Sequence, residues 1–348
     1  MYSPALSPYP SGWYFLATTV ELPAKTVLTR TLAGRELVLF RTAGGDACAI
    51  DAYCPHLGAH FGHGGTVEGE SIQCPFHGFC FNTAGACVKT GYGTKPPPKA
   101  RARVWPLLER HGMIFVYHAM EAEAAGSVDG ASLPPAWEIP DIETDGWTQP
   151  RMRSLRFRSH VQEIAENSVD IGHLTWIHEY EDVRQLSPLH TEGPHLNARY
   201  GMTRPRKTFG KKSGIRTEFE IFQYGLGYAR VEVDVVSLGL RTRQFVLARP
   251  LNEEEVELSL GMSIRRVENP ATIHPLLKLL PKQWLTERIA DASIKEFEAD
   301  VRQDLPIWRN KVYVNPPALA QGDGPVGQYR KWARQFYGEA QKEKVGSE

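Results

Sequence analysis

Two short loops limit this chain more than anything else in it: Cys54-Pro55-His56 and Cys74-Pro75-Phe76-His77, with residues 57–73 between them. Each loop offers one thiolate and one imidazole. Structural zinc sites usually pair like with like, two cysteines from one loop and two histidines from the other. A [2Fe–2S] cluster with two cysteines on one iron and two histidines on the other is served instead by loops that each supply one of both. Pro55 and Pro75 stiffen the loops, and Gly58 and Gly78 permit tight turns beside the ligands. Imidazole ligation places such a cluster between about −150 and +300 mV, a range suited to passing single electrons. Cys48, Cys80 and Cys87 fall on no ligand position and read as structural thiols.

The loops lie in a β-rich stretch. WYFLATTV, ELVLFRT, ACAIDAY and MIFVYH are short apolar runs between Gly-containing turns, which predicts an all-β domain over 1–120. Residues 121–148, rich in Ala, Glu, Gly and Pro, read as a connector, and 149–348 as a second domain. There a strand-like LRFRS precedes VQEIAENSVDIGHLTWIH, which reads as a helix of uneven regularity. Four strands follow. Ile215, Thr217, Phe219 and Ile221 alternate with Arg216, Glu218 and Glu220, and Val231, Val233 and Val235 alternate with charged residues; QFVLAR and the run Val256 to Ile264 complete a sheet with one apolar face. A helix from about Trp284 to Leu305, with Ile294, Phe297 and Val301 at helical spacing, is expected to cover that face and to end at Pro306. The fold class is therefore α+β.

The uneven helix carries a second constellation, Asp170, His173 and His178. Two neutral imidazoles and one carboxylate on one side of Fe(II) leave positions open for O2. At 100° per residue the two histidines would point about 140° apart, so the helix must end or bulge between them. The carboxylate has several sources on the long helix: Glu298 and Asp304 flank its apolar stripe, whereas Glu296 and Asp300 point further from it.

CPHLGAH followed by CPFHGFCFNTAGAC resembles the Rieske domain of the Rieske non-haem iron oxygenases, with Phe79 where many members have Trp. Asp304-Leu305-Pro306-Ile307-Trp308 followed by Arg309-Asn310-Lys311 is similar to the segment bearing the ligand aspartate in 3-ketosteroid 9-alpha-hydroxylase oxygenases and cholesterol 7-desaturases, and this selects Asp304. The similarity runs from SGWYFLATTVEL to GPVGQYRKWARQFY. It implies an N-terminal Rieske domain and a C-terminal helix-grip catalytic domain. One Rieske [2Fe–2S] cluster would sit on Cys54, His56, Cys74 and His77, and one mononuclear Fe(II) on His173, His178 and Asp304. It also implies that Asp170 hydrogen-bonds an iron-ligating histidine and faces a cluster histidine of a neighbouring subunit, with Asn167 nearby, in a head-to-tail homotrimer. The implied reaction is C–H hydroxylation with O2 and two electrons on a steroid, sterol or similar polycyclic apolar substrate. Desaturation or oxidative demethylation of the same class, or hydroxylation of another natural-product scaffold, stands beside it. A reading of a different class is an electron carrier fused to a lipid-binding domain, which would lack the second iron.

Composition removes other classes. Forty basic and forty acidic residues leave no net charge to attract nucleic acid, and no apolar run approaches the ~20 residues of a membrane helix. The first residues lack a basic-then-apolar leader, and five cysteines form no disulfide framework, so a cytoplasmic location is expected. Gly225-Leu226-Gly227-Tyr228-Ala229-Arg230 begins like a dinucleotide loop but returns at once to strand alternation. Electrons are therefore expected from a separate flavin/[2Fe–2S] reductase or ferredoxin. Glu179 to Gly193, acidic and Pro-containing, reads as a loop at the entrance to the iron pocket.

Overall fold

The computed structural model describes residues 6–120, 135–208 and 211–338, and divides the chain into two compact units. One comprises Pro8–Asp141 with Pro250–Glu253; the other takes Ile142–Arg249, the residues from Glu254 onward, and Ser7. The break at Asp141 falls inside the expected connector, of which 121–134 lie outside the described residues. Residues 135–141 of the connector stay with the first unit because Trp13 Nε1 donates to the Trp137 carbonyl at 2.6 Å and Arg110 pairs with Glu138 at 3.3 Å. Ser7 belongs with the second unit because its carbonyl accepts from His160 Nε2 at 2.9 Å.

The first unit is all β, as its short apolar runs predict. Its strands are β1 (Gly12–Thr18), β2 (Val27–Leu32), β3 (Arg35–Arg41), β4 (Ala47–Asp51), β5 (Thr66–Glu68), β6 (Ser71–Gln73), β7 (Cys80–Asn82), β8 (Cys87–Lys89), β9 (Val104–Trp105), β10 (Leu107–Arg110) and β11 (Met113–His118). They form three sheets, in the orders β1-β11-β10, β2-β3-β4-β9 and β5-β6-β7-β8. Val38, Phe40, Ile50, Phe61, Ile72 and Phe81 make a core between the last two sheets. The first Cys-His loop follows β4 and the second joins β6 to β7, so that core anchors both.

The second unit is built on a seven-stranded sheet, β12 (Arg151–Arg158), β13 (Glu181–Glu192), β14 (His195–Thr208), β15 (Lys211–Tyr224), β16 (Ala229–Val235), β17 (Leu240–Pro250) and β18 (Glu255–Ile264), in the order β12-β18-β17-β16-β15-β14-β13. Register sets Phe219 opposite Tyr200 and Val233, and Ile221 opposite Ala198 and Val231, so the predicted alternation does share one face. Between β12 and β13 come α1 (Val161–Glu166) and α2 (Ile171–Trp176); α3 (Lys282–Trp308) and α4 (Val326–Ala333) follow the sheet. Ile294, Val301, Leu305 and Trp308 of α3 are buried.

Three expectations need correcting. Glu181–Glu192 is a strand and not an entrance loop, and with β14 it raises the sheet beyond the four strands read after the helices. β13 is an edge strand, where Pro188 and charged residues are tolerated because one row of backbone groups faces no neighbour. The helix read through 161–178 is two pieces broken at 167–170, and α2 ends at Trp176, between the two histidines as their geometry required. Finally, α3 runs through Pro306 to Trp308. Trp308 is held from outside the helix: its ring stacks on Phe157 at 5.8 Å and its Nε1 donates to Asn167 Oδ1 at 3.3 Å. That anchorage keeps the last turn helical despite the proline.

Candidate metal centres

The two Cys-His loops are near copies of one another. Cys54 N–H donates to the Ala59 carbonyl and Gly58 N–H to the Cys54 carbonyl, at 2.8 and 2.9 Å; Cys74 N–H to Phe79 and Gly78 N–H to Cys74 repeat this at 2.8 and 3.1 Å. Gly58 and Gly78 take φ of 77° and 64°, the left-handed region where a side chain is strained. The Cys54 and Cys74 thiols are buried beside each other, and burial, with the neighbouring Cys74 adding to it, pushes the Cys54 thiol up to about 12. The His56 and His77 rings stand 5.0 Å apart and reach the surface among exposed Leu57, Phe76 and Tyr92. Sulfur thus sits with sulfur and imidazole with imidazole. That suits the two ends of a two-iron cluster better than one tetrahedral zinc. Phe79 stacks on His56 at 4.1 Å, so the departure from Trp leaves an aromatic prop under the ring. Gly91 completes the second loop: its N–H donates to the His77 carbonyl, and a Cβ there would lie 2.2 Å from that oxygen. Spacing gave no sign of Gly91.

In the second unit the ligand atoms of His173, His178 and Asp304 all lie within 4.8 Å of one another. The rest of the helix carboxylates are engaged elsewhere: Glu298 with Arg302 at 2.7 Å, Asp300 with Arg204 at 2.9 Å, and Glu296 near Arg204 at 4.0 Å. Asp300 and Glu296 nonetheless border the same cavity as Asp304, whereas Glu298 does not. Angles counted from one apolar stripe misjudge this because α3 borders both the sheet and the cavity. Asp304 is 5% exposed, and its Oδ2 lies 3.5 Å from His178 Nε2. A buried carboxylate facing two imidazoles has the donor chemistry of a two-histidine, one-carboxylate iron site.

The surroundings fix each ring. His173 Nδ1 is hydrogen-bonded to the main-chain carbonyl of Asp170, which can only accept, so Nδ1 carries the proton and Nε2 is the nitrogen left for a metal. The Asp170 carboxylate does not hold the ring; its Oδ1 accepts from His173 N–H at 3.2 Å and caps α2. His178 Nδ1 lies 3.3 Å from Gln303 Oε1, which turns its Nε2 toward Asp304. Burial lowers the pKa of His173; burial is also the largest single influence on His178 and opposes its charge, but the hydrogen bond and charge of Asp304, with Gln303 and Asp300, together outweigh it and move that ring up. Tyr180 stacks on His178 at 5.5 Å and donates its hydroxyl to Asp300. Gln303 and Tyr180 were invisible in the sequence, since neither belongs to a local pattern. Asn167 lies at the end of α1, where it accepts from Trp308.

Residues 12–101 match the Rieske [2Fe-2S] domain, and residues 128–337 match the 3-ketosteroid 9alpha-hydroxylase C-terminal domain. The chain is a Rieske non-haem iron oxygenase. It is 31% identical over 355 residues to cholesterol 7-desaturase of Bombyx mori, covering 95% of this chain and 70% of that one. It is 28% identical over 336 residues to the oxygenase component of 3-ketosteroid-9-alpha-monooxygenase of Rhodococcus rhodochrous, covering 94% and 80%. Among solved structures, NdmA of Pseudomonas putida CBB5 with caffeine aligns at TM-score 0.67 and 19% identity, covering 92% of this chain and 89% of that one. Dicamba monooxygenase bound to dicamba aligns at 0.65 and 17%, covering 98% and 100%. The oxygenase carries one Rieske cluster and one mononuclear iron, and as a terminal component it draws electrons from a separate reductase. No described helix is long and apolar enough to cross a membrane.

The oxygenase has a cavity of about 350 Å³ inside its catalytic unit, within the range of small-molecule sites. Its walls include Phe219, Ile221, Val231 and Val233 from the sheet and Phe297 and Val301 from α3. His173, His178 and Asp304 border it, as do Asn167 and Asp170.

Proposed function

We propose that this oxygenase oxidises a C–H bond of a steroid, sterol or similar polycyclic apolar substrate, with His173, His178 and Asp304 holding the iron and Cys54, His56, Cys74 and His77 the cluster. The observation that carries the reading is the cavity, walled largely by apolar side chains and bordered by the three candidate ligands. Relatives named for cholesterol and 3-ketosteroids support the substrate class. When bound, the cluster supplies single electrons and the iron activates O2. The chain's own part is to exclude water with Phe219, Ile221, Val231 and Val233 and to keep both imidazoles aimed through Asp170 and Gln303. Hydroxylation balances as C–H plus O2, two electrons and two protons giving C–OH and water. Desaturation is the second reading, favoured by the named activity of the Bombyx mori relative.

Single turnover with chemically reduced, iron-loaded enzyme on a panel of steroids and sterols tests this without the reductase. Gain of one oxygen in the product supports hydroxylation, and loss of two hydrogens supports desaturation. A fully loaded enzyme that converts none of the panel refutes the substrate class, and two irons per chain where three are expected would favour an electron carrier.

Two finer points belong to the same reading. A head-to-tail homotrimer is supported by Trp176, which is 86% exposed on α2 beside His173, and by the exposed apolar rim around His56 and His77; sedimentation of wild type against Trp176→Ala tests it. A cytoplasmic location is supported by Cys48, Cys80 and Cys87, three thiols outside the ligand set that form no disulfide.

A further inference from the structure

Two residues that border the cavity each carry a buried polar atom with no hydrogen-bond partner among the described residues. Gln223 and Tyr200 are each 1% exposed and both border the cavity, yet Gln223 Oε1 and Tyr200 Oη make no hydrogen bond. Buried oxygens left this way are costly, and here they interrupt a wall of Phe219, Ile221, Val231 and Val233. The Gln223 amide is not free to turn. Its Nε2 donates to the main-chain carbonyl of Ala165 at 3.2 Å, and because a carbonyl cannot donate, the nitrogen must stay on that side. Oε1 is therefore an obligate acceptor, whereas the Tyr200 hydroxyl can donate or accept. Register pairs Gln223 with Leu196 and Tyr200 with Phe219, which puts the two on neighbouring strands and one face, four residues apart along the sheet. At 3.3 Å per residue that is about 13 Å.

We propose that Gln223 and Tyr200 are the two polar anchors of the substrate site, and that the substrate presents a hydroxyl to Gln223 and a second oxygen, across a flat apolar skeleton, to Tyr200. The assignment rests on the steroid-or-sterol reading above and narrows it to molecules with a free hydroxyl at one end. A ketone at that end would set acceptor against acceptor and leave Oε1 unpaired, and sites built to hydrogen-bond a hydroxyl discriminate on that ground. Tyr200 places no such demand.

The probe pair is 3β-hydroxy-5α-androstan-17-one and 5α-androstane-3,17-dione, which differ by two hydrogens at one end. Binding of each radiolabelled steroid to anaerobic, iron-loaded enzyme is read by equilibrium dialysis. Wild type is expected to bind the hydroxysteroid about tenfold more tightly than the dione. Gln223→Leu is expected to bring the two within about twofold, and Tyr200→Phe to weaken both by one common factor with their ratio kept. The wild-type comparison stands even if Gln223→Leu fails to fold. Equal binding of both steroids by wild type, or a preference that survives in folded Gln223→Leu, overturns the anchors and leaves the steroid reading intact. Binding of neither steroid overturns the steroid reading and the anchors with it.

Discussion

Replacing Asp170 by alanine and, separately, by asparagine divides what its oxygen atoms do from what its charge does. Its Oδ1 accepts the His173 N–H at 3.2 Å, an N-cap bond to the third residue of α2. That helix has six residues and none is buried, so packing does little to hold it and the cap is a large part of its local stability. Losing such a cap costs about 1 kcal/mol, in a range of roughly 0.5–2. One kcal/mol is a factor of about five in the opening of α2. Both variants keep the main-chain carbonyl that holds His173 Nδ1, so the ring tautomer survives in each. Asp170→Ala should therefore weaken Fe(II) binding by up to about fivefold, and Asp170→Asn, an equally good cap, by less than alanine does. Both lose the carboxylate charge. If that charge couples the iron to a neighbouring subunit's cluster, oxidation of the reduced cluster by substrate and O2 slows in both. Anaerobic Fe(II) titration against a competing chelator reads the first quantity, and stopped-flow absorbance of the cluster reads the second. Iron binding weakened as much by asparagine as by alanine would refute the capping argument. Cluster oxidation at wild-type speed in the asparagine variant would remove Asp170 from the electron path, and with it one support for the head-to-tail trimer.

Alanine in place of Cys54, His56, Cys74 or His77 should abolish the Rieske visible and EPR signals, and a full-strength signal in any of the four would remove that residue from the ligand set. Alanine at His173, His178 or Asp304 should leave those signals intact while mononuclear iron and turnover are lost; retained iron in Asp304→Ala would require another carboxylate, and Glu298, already paired with Arg302 and Arg153, is not placed to serve. Buried His160 is lowered by desolvation to about 4, against the pull of the Ser7 carbonyl, which accepts from Nε2 and favours charge; Nδ1 accepts from Gln162 N–H only in the neutral ring. The unfolded chain binds that proton below its ordinary value of 6.5, so this group's contribution is complete above 6.5 and falls toward pH 4, by about 1.4 kcal/mol per pH unit. Urea unfolding across that range should show the slope in wild type and not in His160→Asn, which retains an N-capping side chain; an unchanged slope would refute the assignment.

What could be read in the sequence is what short range decides. Each cluster loop brings its cysteine, histidine and turn glycine within five residues, and the chemistry needs residue types too rare to fall there by accident. The break between His173 and His178 followed from helical angles alone. What escaped depends on partners far along the chain. β13 hides because an edge strand tolerates Pro188 and charge, Pro306 stays helical because Phe157 and Asn167 hold Trp308, and Gln303 meets His178 across 125 positions. The cavity is the hardest case. Ile215 to Val235 read as a core-facing sheet because the walls of an apolar cavity and the floor of an apolar core obey the same alternation. Whether α3 fills the face or stands off from it is set by packing at its ends, where Arg151 meets Glu287 and Asp291 near the start and Trp308 meets Phe157 at the finish. What separates cavity from core in the sequence is then the polar residue on the apolar face. Gln223 Oε1 and Tyr200 Oη have no hydrogen bond among the described residues, which a close-packed core would not tolerate and a cavity that receives an oxygenated ligand explains.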